Sequence, residues 1–188
     1  MRSLPDGPLR QPDQFSCGAA VVVVYRMLHD GAYAEETAGR FGDEVLTTHR
    51  RLLRLRGSDG RLQLPWPRFL GTPPWALARA LGIAGGCRHR VRWIPPWRRA
   101  RALADVRAAL TSGPVAVYVG SRWLPRHVLL VIDPELHTYD PAHGDVVLLD
   151  STAFARPKLA LRRWGHPWAW IETDAGDSTN CSSETAAD

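Results

Sequence analysis

Residues 11–24 carry the sequence QPDQFSCGAAVVVV, and this stretch decides how the rest of the chain is arranged. Cys17 is followed by a glycine, two alanines and four valines. Consecutive valines favour a strand, but the length of the segment and the Asp30–Gly31 pair after it favour a buried helix. We predict a helix from Cys17 to about His29 at the centre of the domain.

A cysteine at the start of such a helix is in a chemically useful position. Free amide N–H groups and the positive end of the helix dipole stabilise a thiolate there. Gln11 lies six positions upstream, so its side-chain amide can turn back beside the sulfur and, with the backbone N–H of Cys17, serve as a pair of oxyanion donors. We therefore hypothesise that Cys17 is a nucleophile, with a buried structural cysteine as the alternative.

Composition and charge narrow the class of protein. The chain has 188 residues, 45% hydrophobic and 23% charged, which predicts one globular domain. The net charge is +5, and Lys158 is the only lysine beside 23 arginines. Because no basic tail, zinc-finger spacing or aromatic RNA-binding motif accompanies this charge, we predict no nucleic-acid partner; an acidic partner is compatible with it.

The cysteines and the apolar segments bear on the setting of the protein. Cys17, Cys87 and Cys181 are an odd and widely spaced set, so we expect neither a disulfide framework nor a metal site, and no cofactor. The first 13 residues lack an apolar signal core, and no segment reaches membrane-spanning length. These features predict a cytoplasmic protein without a membrane partner.

The order of predicted elements indicates an α+β fold. Helices are predicted over residues 34–40, 43–56, 75–81 (with Thr72 as cap and Pro73 first in the helix) and 99–112. Strands are predicted over residues 88–94, 115–119, 128–133, 137–139, 145–149 and 168–172. We expect a single domain over residues 1–173 and a disordered polar tail over residues 174–188.

Two later residues are candidate partners of Cys17. His127 begins the predicted strand HVLLVID and can accept and return a proton. Asp140 ends the next strand, in TYDPAHG. If the two strands form a hairpin with its turn near Pro134 and Glu135, the Asp140 carboxylate lies beside the His127 ring and fixes its tautomer. A capping histidine and an Asp–Pro turn are the structural alternatives.

Further side chains near these motifs have weaker signals. Gln14 competes with Gln11 for the donor role or serves the approach to the site, and Gly18 and Trp123 are candidate substrate contacts, Trp123 as a wall of the cleft. A zinc site built from His127, His137 and His143 is an alternative, but no carboxylate-supported spacing accompanies it.

Taken together, the Gln, Cys–Gly, His and Asp motifs resemble those of papain-like cysteine peptidases. QPDQFSCGAA, RHVLLVID, YDP and GTPPWALARALG are most similar to segments of the bacteriocin-processing (double-glycine leader) peptidases and their stand-alone relatives. The resemblance covers roughly residues 9–172. It departs from the papain signature, because the second nearby cysteine and the aromatic residue after the nucleophile are absent, and Ala19 and Ala20 occupy the positions that follow.

The resemblance implies a helical half packed on a mostly antiparallel sheet, with the cleft between them. It implies a thiol protease in which Cys17, His127 and Asp140 form a catalytic triad, Gln11 binds the oxyanion and an acyl-enzyme forms. The alternatives are transfer or cyclisation of an acyl group from a thioester on an acidic carrier protein, which the basic segment 50–56 would suit, and a binding module that has lost the chemistry.

Overall fold

The computed structural model describes residues 4–5, 7, 9–54, 62, 66, 71–152, 164 and 166–174. These residues form an α+β fold, as predicted. The helices are α1 (Cys17–His29), α2 (Gly31–Ala38), α3 (Phe41–Leu52), α4 (Pro74–Gly85) and α5 (Arg99–Ala109). The strands are β1 (His89–Trp93), β2 (Val115–Gly120), β3 (Pro125–Val131), β4 (His137–Asp140), β5 (Asp145–Leu148) and β6 (His166–Thr173). The tail predicted to be disordered lies outside the described residues apart from Asp174.

Helix α1 is the central element, and its bounds confirm the prediction made from the valine run. Val21 and Val24 are fully buried, and the helix packs against α3, α4 and β3. A helix that is apolar around most of its circumference is stable only where other elements surround it. Tertiary burial therefore overrides the strand preference of consecutive valines.

The sheet is antiparallel throughout, with the strand order β1-β6-β2-β3-β4-β5. Alternate residues of β2 and β3 enter two cores. Tyr118 and Leu130 pack on the side of α1, whereas Val117 and Leu129 pack on the side of α5. Covering both faces explains why β2 is buried along its whole length. Register shifts in β2 near Gly120 help to curl the sheet.

Three helices start at other residues than the sequence predicts, and one of them, α3, begins at Phe41 and not at residue 43. Helix α2 begins at Gly31 and not at residue 34, because the Asp30 carboxylate accepts a hydrogen bond from the Tyr33 N–H at 3.0 Å and caps the helix. Helix α4 begins at Pro74, after Pro73, and no side chain caps it. The prediction that Thr72 caps α4 is therefore wrong.

The predicted ends of four helices also need correction, since α2 ends at Ala38 and α5 at Ala109, before the predicted residues 40 and 112. Helix α4 continues past Gly82 to Gly85, because Gly86 adopts a left-handed conformation (φ 67°) that provides the usual glycine stop. Helix α3 ends at Leu52, earlier than the predicted residue 56. Residues 55 and 56 lie outside the described part.

Two expectations from the sequence, on the pairing of the cysteines and on membrane-spanning segments, can be compared with the structure. Cys87 is disulfide-bonded, although no disulfide framework was expected, and Cys17 is the free thiol of the described part of the chain. Of the described helices, none is both long enough and apolar enough to cross a membrane.

Candidate active site

The hairpin of β3 and β4 brings His127 and Asp140 together. Leu130 pairs with Tyr139, and the connecting turn lies where it was predicted, with the Leu136 N–H donating to the Asp133 carbonyl at 2.9 Å. At the other end of the hairpin, the His127 Nε2–H group donates to Asp140 Oδ1 at 2.8 Å. Both side chains are buried, so the bond is shielded from water.

Three donors hold the Asp140 carboxylate. Besides His127, the Ala142 backbone N–H donates to Oδ1 at 3.0 Å and His143 Nδ1 donates to Oδ2 at 2.8 Å. Burial raises the pKa of Asp140, but the hydrogen bond to His127, its charge and the other two bonds outweigh burial and lower the pKa to about 2. Asp140 is therefore a fixed negative charge behind the imidazole at neutral pH.

Cys17 contacts the same imidazole. Because Nε2 bonds Asp140, the other ring nitrogen, Nδ1, is left to exchange a proton with Cys17, which lines the same cleft. Burial lowers the pKa of His127, but the hydrogen bonds to Asp140 and Cys17, together with their charges, raise it to about 9. The ring thus favours its protonated form at neutral pH, beside a sulfur at the start of α1.

A cleft of about 650 Å³ opens in front of these groups. It runs between the extended arm of residues 10–15 and the start of β3, and both Cys17 and His127 line it. A narrower pocket of about 40 Å³ continues from the same two residues towards Thr72, Tyr118 and Trp93. The Tyr118 hydroxyl donates to the Thr72 carbonyl at 2.9 Å, which fixes this inner wall.

The arm that carries Gln11 is seated on the turn after Asp140. The Gln11 N–H donates to the Pro141 carbonyl at 2.8 Å. Gly144 has a φ of +73°, and a Cβ there would come within 2.6 Å of the Arg10 nitrogen. Glycine at this position lets the arm approach the turn, and the approach brings Gln11 to the cleft that Cys17 lines.

The side chain of Gln11 is oriented within the arm. Its Nε2 group donates to the Asp13 carbonyl at 2.7 Å, and one of the two N–H groups remains for another acceptor. Its Oε1 atom is buried without a partner among the described residues. Gln14 also lines the cleft, but it is exposed. The geometry therefore favours Gln11 over Gln14 as a fixed donor.

Gly18 and Trp123 occupy different settings from those proposed for them. A Cβ on Gly18 would lie 2.6 Å from Thr72 Cβ, so close packing of α1 on the start of α4 requires a glycine. Trp123 is 72% exposed, lies under the Arg122 guanidinium at 4.5 Å and is not among the residues that line the cleft. The aromatic wall is Trp164, whose ring stacks on His127 with 6.2 Å between centroids.

Sequence reasoning did not identify the contributions of His143 and Trp164 to the site. The signal for His143 was available, since it follows Asp140 by three residues in a tight turn. Trp164 offered none, because it stands in an arginine- and tryptophan-rich stretch where no spacing distinguishes one ring from the next.

The histidines do not assemble a metal centre in the described part of the chain, where no group of three or more possible ligands is found. His137 lies at the far end of the hairpin and donates through Nδ1 to Asp133 Oδ2 at 2.8 Å. The buried His127–Asp140 pair, to which His143 also bonds, and the exposed His137–Asp133 pair therefore lie at opposite ends of the hairpin.

The buried arrangement is suited to nucleophilic chemistry. A sulfur at a helix start, an imidazole that can exchange a proton with it and a carboxylate that orients the imidazole are the parts that acyl transfer needs. Neither a scan against protein-family models nor a search of curated proteins found a match to this chain.

Proposed function

We propose that this protein is a cysteine-dependent hydrolase with a papain-like fold, acting on peptide or other acyl substrates through Cys17, His127 and Asp140. The observation that carries the proposal is that Cys17 and His127 line one cleft while the imidazole of His127 bonds the buried Asp140 carboxylate. The division into a helical half led by α1 and an antiparallel sheet bearing His127 and Asp140 supports the papain-like assignment.

The proposed reaction has two steps. The Cys17 thiolate attacks the substrate carbonyl carbon and forms a C–S bond, while the Cys17 N–H and the free Gln11 N–H stabilise the oxyanion. His127 gives its Nδ1 proton to the leaving group as the scissile bond breaks. His127 then takes a proton from water, which attacks the acyl-enzyme and releases the acid and the thiolate.

The runner-up uses the same groups for transfer of an acyl group from an acidic carrier protein. One observation favours it: the exposed Arg10 and Arg126 side chains line the cleft beside Cys17. The exposed Arg50 and Arg51 of α3 add positive charge to the surface. Both steps are then the same, except that an amine or alcohol replaces water as the acceptor.

An acyl-trapping experiment tests the proposal. The native chain is mixed with an activated benzyl thioester of an N-acylated amino acid, and intact-protein mass spectrometry follows the adduct. We expect an acyl adduct on Cys17, release of free acid, and neither in a Cys17→Ala variant. An added amine that replaces water in the product identifies the transferase. Absence of adduct and turnover in the folded native chain would favour a non-catalytic binding module.

A further inference from the structure

A second concave site lies between α5 and the strands β1 and β6. It encloses about 530 Å³ and is lined by four arginines: Arg90, Arg92, Arg98 and Arg101. We call it the arginine groove. Arg90 and Arg92 alternate along β1 and so share one face of the sheet. Arg101 lies near the start of α5, and Arg98 lies in the turn before that helix.

A buried carboxylate organises the strand side of the groove. Glu172 Oε1 accepts from Arg90 Nε at 2.9 Å and from Arg92 Nε at 3.0 Å. Its Oε2 accepts from the Trp170 indole N–H at 2.7 Å. Each of these two arginines bonds Glu172 through Nε alone, so the guanidinium planes are oriented while terminal N–H groups stay available. Arg90 uses one of them on Asp174 at 3.0 Å.

The helix side of the groove presents two positively charged side chains. Arg98 and Arg101 are exposed, and within the described part of the chain neither forms an ion pair. Asp105 and Glu172 are the only carboxylates among the described lining residues, against four arginines. The groove therefore has an excess of positive charge, presented by planar forks that bind carboxylates through paired hydrogen bonds.

The arginine groove and the candidate active site lie on opposite faces of the sheet, and both reach the edge strand β1. Trp93, at the end of β1, borders both the groove and the narrow pocket that begins at Cys17 and His127. Strand β1 is an outer strand of the sheet. A chain bound in the groove can therefore reach Cys17 only by crossing the edge of the sheet near Trp93.

We propose that the arginine groove binds an acidic peptide segment, whose carboxylates pair with Arg92, Arg98 and Arg101. That this segment belongs to the substrate rests on the function proposed above; the binding itself does not. Asp105 and Glu172 divide the positive charge into separate points, which suits spaced side-chain carboxylates better than the continuous charge of a nucleic-acid backbone.

A binding measurement tests the groove independently of catalysis. A fluorescein-labelled hexaglutamate peptide is titrated with the full chain carrying Cys17→Ala, and fluorescence anisotropy is recorded at low salt. Arg101→Glu reverses one charge inside the groove. Arg107→Glu makes the same change on the same exposed helix, but Arg107 does not line the groove. We expect Arg101→Glu to weaken binding about tenfold or more, and Arg107→Glu to weaken it far less.

The remaining outcomes overturn the proposal. Hexaglutamate that does not bind, or that responds equally to the two substitutions, indicates only the general positive charge of the protein. A hexathymidylate probe that binds more tightly than hexaglutamate and depends on Arg101 would assign the groove to nucleic acid instead. Circular dichroism of both variants confirms that they are folded. Because Cys17 is absent throughout, failure of the acyl-trapping experiment leaves this result unaffected.

Discussion

At the scale of single residues, the proposed chemistry of Cys17 depends on the imidazole of His127. Asp140 is held by three donors and orients the ring from behind, while Cys17 lies on its other side. Sequence reasoning located all three residues, because a cysteine before a hydrophobic helix and the two ends of one hairpin are recognisable patterns. It did not identify Trp164, because a contact across the fold leaves no spacing signal, and it overlooked the local bond from His143 three residues after Asp140.

Asp140→Asn tests the orienting carboxylate. Removing its negative charge should lower the pKa of His127 from about 9 and slow acylation of Cys17 on the order of 100-fold at pH 7. NMR titration of the imidazole and the thioester assay measure the two effects. Asp133→Asn is the matched control, since it alters the exposed His–Asp pair of the same hairpin. Equal losses in both variants would remove Asp140 from the proposed machinery.

Measurements of kcat can distinguish the roles of the two glutamines in the arm. Gln11→Ala should lower kcat for the thioester about 100-fold, since one oxyanion donor is lost, with a smaller effect on KM. Gln14→Ala should stay within about threefold of the native chain, because this exposed side chain is not fixed beside Cys17. The reverse order of the two effects would transfer the donor role to Gln14.

At the scale of elements, tight packing of α1 against the start of α4 sets the position of the nucleophile. The helix and strand order was predictable from apolar periodicity and from Gly–Pro breaks. The start of α2 and the end of α4 were misplaced although their signals are local: Asp30 was taken only as the stop of α1, and the Gly86 stop lies beyond the predicted end at residue 81. The glycine after Cys17 was noted as a possible substrate contact, but its packing against Thr72 appears only in three dimensions.

Gly18→Ala tests this packing. A Cβ would lie 2.6 Å from Thr72 Cβ, so we expect a loss of about 1 to 3 kcal/mol in the free energy of unfolding. Gly42→Ala, in α3, meets nothing within 4 Å and should be neutral or stabilising by up to about 1 kcal/mol. Urea denaturation measures both. A stable Gly18→Ala variant would show that α1 can move away from Thr72 at little cost.

At the scale of the whole molecule, the buried charges of the site make the free energy of unfolding depend on pH. The pKa of His127 is about 9 in the folded chain, above the value near 6.5 of an unfolded histidine. Its contribution to stability is thus fully present below about pH 6.5 and is lost as the pH rises through about 9. The α+β class and the cleft followed from the sequence, but the balance of burial against ion pairing that sets this pKa required coordinates.

Denaturation at several pH values tests the coupling. Between pH 6.5 and 9.5 the native chain should lose about 2 kcal/mol of unfolding free energy, and His127→Ala should flatten this dependence. His137→Ala should keep it, since that ring is half-exposed and lies at the far end of the hairpin. A native profile that is level over this range would contradict the raised pKa of His127.

The most direct test of the central claim is the rate at which iodoacetamide alkylates Cys17 at pH 6, followed by mass spectrometry of the Cys17 peptide. The thiolate, not the thiol, reacts with iodoacetamide, and an imidazolium beside the sulfur favours the thiolate. We predict rapid alkylation in the native chain and in His137→Ala, and a rate at least about tenfold lower in folded His127→Ala. Equal rates in all three proteins would contradict the pairing of Cys17 with His127.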